Sequence, residues 1–237
     1  MKTLIKTALA NTLLIGLLIF SSCISDDPGP LQYGEREFSV NNFTRLDMGN
    51  AFNIQVQQGN EFRVDASGDV RNLEDLSVYT SGSTLIIHYD RNANRKHTTY
   101  IRITMPELLG VDFSGASISE IRGFTGQEEL DITLSGASFA QVDCDYNNLN
   151  LNLSGASVLN ILGTGKRLVA LVSGASDLRG FDYPVKEAKL DVSGGSLGKV
   201  TVSTKLEATL SGASTVRYRG NPVVYQNVSG GSSLSID

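Results

Sequence analysis

Cysteine, histidine and clustered positive charge are scarce in this chain of 237 residues, and each scarcity excludes something. Cys23 and Cys144 are the two cysteines. Cys23 stands at the end of an export signal, so Cys144 is left without a partner, no intramolecular disulfide is expected, and stability has to come from the core. His88 and His97 are the two histidines. They flank a polar loop with no second set of spaced ligands, so they read as a surface pair; no metal and no cofactor is expected. The formal net charge is −5, with no basic face. Phosphate contacts dominate nucleic-acid affinity, so nucleic acid is not an expected partner. Catalytic signatures are missing too. Gly163-Thr164-Gly165-Lys166 has the wrong spacing for a phosphate loop, with Arg167 where Ser or Thr is needed. The serine corners are read as turns and not as Gly-x-Ser-x-Gly nucleophile elbows. Asp143-Cys144-Asp145 lacks the glycine-rich calcium repeat and reads as a solvated loop.

The start of the chain has the pattern of an export signal: Lys2 and Lys6, an apolar run from Leu13 to Phe20, then Ser21-Ser22-Cys23. That run falls short of the roughly 20 residues of a membrane span. Residues 1–22 are therefore read as a signal peptide, and Cys23, in a setting similar to a bacterial lipobox, as the lipidated first residue and membrane anchor. An ordinary signal cleaved near Ser22 is the alternative. Removal of residues 1–22 takes Lys2 and Lys6 with it and moves the charge to −7. Residues 23–34 read as a tether. Its Ile24-Ser25-Asp26-Asp27 resembles the acidic tag of lipoproteins sent to the outer face of the outer membrane.

The second half carries seven copies of Ser-Gly-Ala/Gly-Ser, beginning Ser114-Gly115, Ser135-Gly136, Ser154-Gly155, Ser173-Gly174, Ser193-Gly194, Ser211-Gly212 and Ser229-Gly230. Their steps of 18 to 21 residues mark a stacked repeat. Before each copy, apolar residues alternate with polar ones: Leu130, Ile132, Leu134, then Leu149, Leu151, Leu153, and so on through the columns headed by Leu109 and ending at Val224. Alternation at period two means a strand with one buried face. A second alternation follows each copy, as in Leu159/Ile161 and Val216/Tyr218. The expected coil is strand, tight corner, short strand and variable loop, the loops including Gly163-Thr164-Gly165, Asp182-Tyr183-Pro184 and Gly220-Asn221-Pro222. The fold class is all-β: a parallel β-solenoid, read as a right-handed single-stranded β-helix, over residues 111–237.

The corner is explained by structure alone: Gly for a positive φ, a small third residue for a cramped inward slot, serines bonding the local backbone. The rival reading is a serine ladder that binds sugar or another ordered surface. Coils about 4.8 Å apart are too distant for direct hydroxyl bonds without side-chain leaning, so each Ser is expected on backbone or water. Residues 35–110 are less regular and are expected to cap the solenoid, in one continuous domain 35–237. Phe52–Val56 and Phe62–Ala66 read there as a hairpin-like pair. The last coil, ending at Ile236-Asp237, is a candidate face for a second copy.

Asn42-Phe43-Thr44-Arg45-Leu46, then Ile103-Thr104-Met105-Pro106-Glu107-Leu108, then the serial corners resemble the head GIN domain family, whose members are labelled auto-transporter adhesins. The resemblance implies a β-helical fold and a cell-envelope location. It implies no known activity; the chain as a whole is read as an adhesin-like, non-catalytic binding module with a glycan or protein ligand. An envelope assembly component is the second reading and a carbohydrate-active enzyme the third. For the last, Asp112 and Asp131 approach each other across adjacent coils, with nothing basic or aromatic beside them. Leu168-Val169-Ala170-Leu171-Val172 is apolar on both faces. Val169 and Leu171 are therefore expected outside the core as a contact patch.

Overall fold

A computed structural model describes residues 29–237. The export signal of residues 1–22, Cys23 and the tether as far as residue 28 lie outside the described residues. The strands begin at β1 (Tyr33–Phe38), inside the expected tether, followed by β2 (Arg45–Met48), β3 (Asn53–Gln58) and β4 (Arg63–Asp69). A single helical turn, α1 (Val70–Glu74), comes next, with the Asp69 carboxylate accepting from the Arg71 amide as its N-cap. β5 (Leu76–Ser81) and β6 (Thr84–Tyr89) form an antiparallel hairpin; β7 (Tyr100–Met105) and β8 (Gly110–Phe113) follow. From there each strand carries most of a coil: β9 (Ile118–Leu134), β10 (Phe139–Leu153), β11 (Val158–Val172), β12 (Asp177–Val192) and β13 (Leu197–Leu210). β14 (Thr215–Arg219), β15 (Val223–Val228) and β16 (Ser233–Ile236) complete the last turns.

Neighbouring coils pair in parallel and in register, Leu149 lying between Leu130 and Leu168. The result is a parallel β-solenoid of about seven turns, with Leu31–Asp237 as one compact unit. The inward columns fill the space between the face before the corner and the face after it. Leu130, Leu134, Leu149, Leu153, Leu159, Ile161 and Leu206 are fully buried. At the first coil Leu108 is buried in place of the expected Leu109, and in the last coil Val228 and Ile236 are 40% and 65% exposed.

The expected variable loops are mostly bends inside continuous strands. Gly163-Thr164-Gly165 lies within β11, Asp182-Tyr183-Pro184 within β12 and Asp143-Cys144-Asp145 within β10; Gly220-Asn221-Pro222 remains a loop. Register shifts between Asn160 and Arg167 and between Gly180 and Glu187 absorb the variation in coil length, so both broad faces stay in step. Two buried tyrosines staple this edge. Tyr146 donates to the Leu108 carbonyl at 2.6 Å and Tyr183 to the Tyr146 carbonyl at 3.0 Å.

Two readings of the first half change. Phe52–Val56 and Phe62–Ala66 do not pair, because β7 lies between β3 and β4, parallel to one and antiparallel to the other. The chain also winds out of order. β2 sits between β6 and β8, and β3 between β7 and β9, so the coil formed first is second in space. That early coil turns at Gly49-Asn50-Ala51-Phe52, with positive φ at Asn50 and Ala51, and stacks directly on the Ser114 corner. Beyond β7, the antiparallel strands β4 and β1 extend the sheet. The 90–99 loop is pinned by Arg91 and Arg95 on the buried Asp75.

Candidate functional site

The corners form one edge of the coil. The second-position Gly of every corner, from Gly115 to Gly230, has a φ of 69–77°, and from Gly136 onward a Cβ there would fall on the carbonyl oxygen of the corner glycine one coil before. That oxygen is occupied: Gly136 O accepts from Ala156 N at 2.7 Å, and the pattern repeats along the edge. The third residue is not inward as expected. Ala116, Ala137, Ala156, Ala175 and Ala213 are exposed, and the fourth-position serines Ser117, Ser138, Ser157, Ser176, Ser196 and Ser214 are buried instead. A turn with positive φ only at its first central residue points its second central side chain outward, and the chain re-enters the core at the following Ser. Ser138 and Ser157 donate to the carbonyls of Ser135 and Ser154 at 2.8 Å. Direct hydroxyl contacts between coils also occur, Ser117 to Ser138 and Ser214 to Ser232, both at 3.1 Å, because the inward side chains lean toward one another. Backbone and neighbouring serines thus engage Ser117, Ser138, Ser157 and Ser214, whereas the buried Ser176 and Ser196 hydroxyls have no hydrogen-bond partner among the described residues. No corner residue lines either groove described below.

The face before the corner holds a groove of about 430 Å³ whose walls include Arg45, Asp131, Thr133, Asn150, Asn152, Val169 and Leu171. It is assembled from four coils. Arg45 of β2 stands opposite Gly110 of β8, which stands opposite Asp131 of β9. A Cβ at Gly110 would lie 2.9 Å from the Arg45 Cζ, so the glycine leaves the lane through which Arg45 reaches Asp131, at 2.5 Å. Asn150, from the next coil, donates to Asp131 at 2.9 Å and to Glu129 at 2.7 Å. Burial opposes the charge on Asp131, but Arg45 and Asn150 outweigh it and hold the carboxyl below the ordinary aspartate range. Both partners of the Arg45–Asp131 pair are about two-fifths exposed, and such a pair contributes at most about 1 kcal/mol to stability. Its main consequence is positional: it fixes a charged, hydrogen-bonding floor.

The expected apolar patch forms the opposite wall. Leu171 is 53% exposed and Val169 half-buried, in columns that are otherwise mostly polar. Asp112 and Asp131 are not brought together. Asp112 stands opposite Thr133 and, on its other side, opposite Asp47. Burial first and the Asp47 charge second raise the Asp112 carboxyl. Neither Asp47 nor Asp112 lines the groove. The Arg45 contribution escapes the sequence reading because residues 86 positions apart meet only once β2 is inserted beneath β8. The one local signal is Gly110, a glycine in an outward strand position, which marks a close approach.

Among the described residues no group of three or more His, Cys, Asp or Glu is placed to hold a metal ion. Cys144 is buried in β10, and burial pushes its thiol up to about 12.

No curated protein matches the chain in sequence. Among solved structures, a "putative adhesin" from Bacteroides fragilis NCTC 9343 is similar with a TM-score of 0.76 at 20% identity, over 86% of this chain and 96% of that one. A "putative lipid binding protein" from Parabacteroides distasonis ATCC 8503 gives 0.73 at 16%, over 86% and 96%. A "putative adhesin" from Parabacteroides merdae ATCC 43184 gives 0.69 at 15%, over 87% and 96%. At these identities the likeness establishes the fold alone. The family model described as "Putative auto-transporter adhesin, head GIN domain" matches residues 42–222, and the chain belongs to that family.

Proposed function

We propose that this protein is a cell-envelope lipoprotein, anchored through Cys23, that acts by binding and not by catalysis, and that the groove before the corner is the surface it offers to a partner. The observation that carries this reading is Leu171, more than half exposed on the rim of a groove whose floor is tied across coils by Arg45, Asp131 and Asn150. An exposed apolar side chain beside fixed polar groups is the arrangement of a recognition surface. Membership of an adhesin-like family supports it. The lipid-binding name of one structural relative is less well matched. Between the two faces the inward columns are filled by side chains at or near zero exposure, so an acyl chain would have to lie outside the coil.

The test is adherence and partner capture by cells carrying the native protein or Leu171→Asp. A charge on the rim is expected to lower capture at least ten-fold without changing the thermal midpoint, since Leu171 is outside the core. Unchanged capture rejects the groove. Protease shaving of intact cells decides orientation: a protein that resists shaving faces the periplasm, which favours the assembly reading. For an enzymatic reading Asp47 and Asp112 are a neighbouring carboxylate pair, and a polysaccharide-cleaving activity abolished by Asp112→Asn would support it.

A further inference from the structure

The face after the corner carries a second and different site. There the antiparallel strands β1 and β4 continue the sheet past β7 and β3, and a groove of about 300 Å³ lies across them. That volume is at the lower end of small-ligand sites. Tyr100 lines it, 51% exposed, flanked by Ser67 of β4 and Asn53 of β3. One step along the strand, Arg102 is flanked by Asp65 and Gln55.

Polar side chains opposite one another on a sheet ordinarily satisfy one another. In the next row they do, Gln57 donating to Thr104 at 3.5 Å. In the rows of Tyr100 and Arg102 they do not. Asp65 is taken by Arg63 of its own strand, through two bonds of 2.8 and 3.2 Å, and among the described residues Arg102 forms no ion pair, with the Tyr33 hydroxyl as a neutral neighbour. Among the described residues Asn53 and Gln55 make no side-chain hydrogen bond, and the Tyr100 ring has no aromatic or cation–π contact. Donors and acceptors free of protein partners therefore converge beside an open aromatic surface. Glu35, Glu37 and Asp65 alternate with Arg63 and Arg102 around the groove, so a ligand of either charge meets repulsion as well as attraction. A hydroxyl, which both donates and accepts, suits every one of these groups. A tyrosine ring offers a large apolar contact at low entropic cost.

We propose that this face binds a neutral, hydroxyl-rich glycan, with Tyr100 as the platform under a sugar ring and Asn53, Gln55 and Arg102 as its hydrogen-bonding row. The site is independent of the groove that contains Leu171.

Affinity electrophoresis of the purified full-length protein tests it, in detergent gels containing laminarin, α-mannan or arabinogalactan, with polygalacturonate as the charged control. Retardation is expected in at least one neutral gel and not with polygalacturonate. Tyr100→Ala is expected to weaken it at least ten-fold and Gln55→Ala about three-fold, whereas Tyr100→Phe, which keeps the ring, retains it. These side chains are exposed, and unchanged circular dichroism confirms folding. The proposal is overturned if no neutral glycan retards the protein, if Tyr100→Ala migrates as the native chain does, or if polygalacturonate alone binds. Leu171→Asp is expected to leave glycan retardation intact while it lowers partner capture. Glycan binding lost in Leu171→Asp but kept in Tyr100→Ala would move the glycan to the other groove and sink this assignment without touching the binding reading itself.

Discussion

The second and third residues of each corner look interchangeable in sequence, both small and adjacent, yet the fold treats them oppositely. Gly155 has a φ of 74°, and its missing Cβ leaves room for the Gly136 carbonyl oxygen. Ala156 is exposed, and at the matching Gly195 an added Cβ would find its nearest atom at 3.9 Å. Gly155→Ala adds backbone strain to a clash with main chain that neighbouring coils hold in place, and is expected to cost about 2–4 kcal/mol. Ala156→Ser is expected to stay within about 0.5 kcal/mol. Urea unfolding of the two variants compares them directly. Equal costs would return the third residue to the cramped inward slot that the sequence suggested.

At the scale of elements, the end that holds α1 and the 90–99 loop depends on two buried carboxylates. Arg71 holds Asp69 well below the usual carboxylate range, helped by the Gln32 and Arg71 amides. At Asp75 burial opposes ionisation, but Arg91 and Arg95 more than offset it, and the carboxyl is again lowered. A lowered native value means that the unfolded chain binds more protons as the solution is acidified. The stabilisation is fully present above the unfolded aspartate value of about 4 and is lost as pH falls below it. Asp75→Asn leaves Arg91 and Arg95 without their carboxylate and is expected to cost about 3 kcal/mol at pH 7. It should also flatten the fall in melting temperature between pH 5 and 2. Parallel melting curves that keep the native steepness would show that Asp75 carries no part of the acid sensitivity.

At the scale of the whole molecule, a solenoid gains its stability from interfaces between neighbouring coils, so opening one region exposes the core locally. Cys144 reports on this from a middle coil. It is buried and its thiol is raised to about 12, so alkylation of the Cys144 peptide, followed by mass spectrometry, is expected only in denaturant. Rapid labelling of native protein at pH 8 would show that the middle coils open on their own.

The coil was legible in sequence because its causes are local. Alternation at period two selects a strand, and the steps of 18–21 residues between corners bring Leu130, Leu149 and Leu168 into one column whatever the rest of the chain does. Val169 and Leu171 could be placed outside the core on the same ground: the residues on either side of them already point inward. Three features required the tertiary structure. The insertion of β2 and β3 between β6 and β8 and between β7 and β9 is a choice among strand pairings that share one hydrogen-bonding pattern, so no local pattern labels the partner. The Arg45–Asp131 bridge exists only after that insertion has set Gly110 between them. The unpaired row of Tyr100, Arg102, Asn53 and Gln55 likewise appears only once β4, β7 and β3 lie side by side. Sequence by itself determined the coil, its corners and its buried columns, because these follow from the sterics of consecutive residues. The two grooves were decided by tertiary structure, because they join residues that only long-range strand pairing makes neighbours.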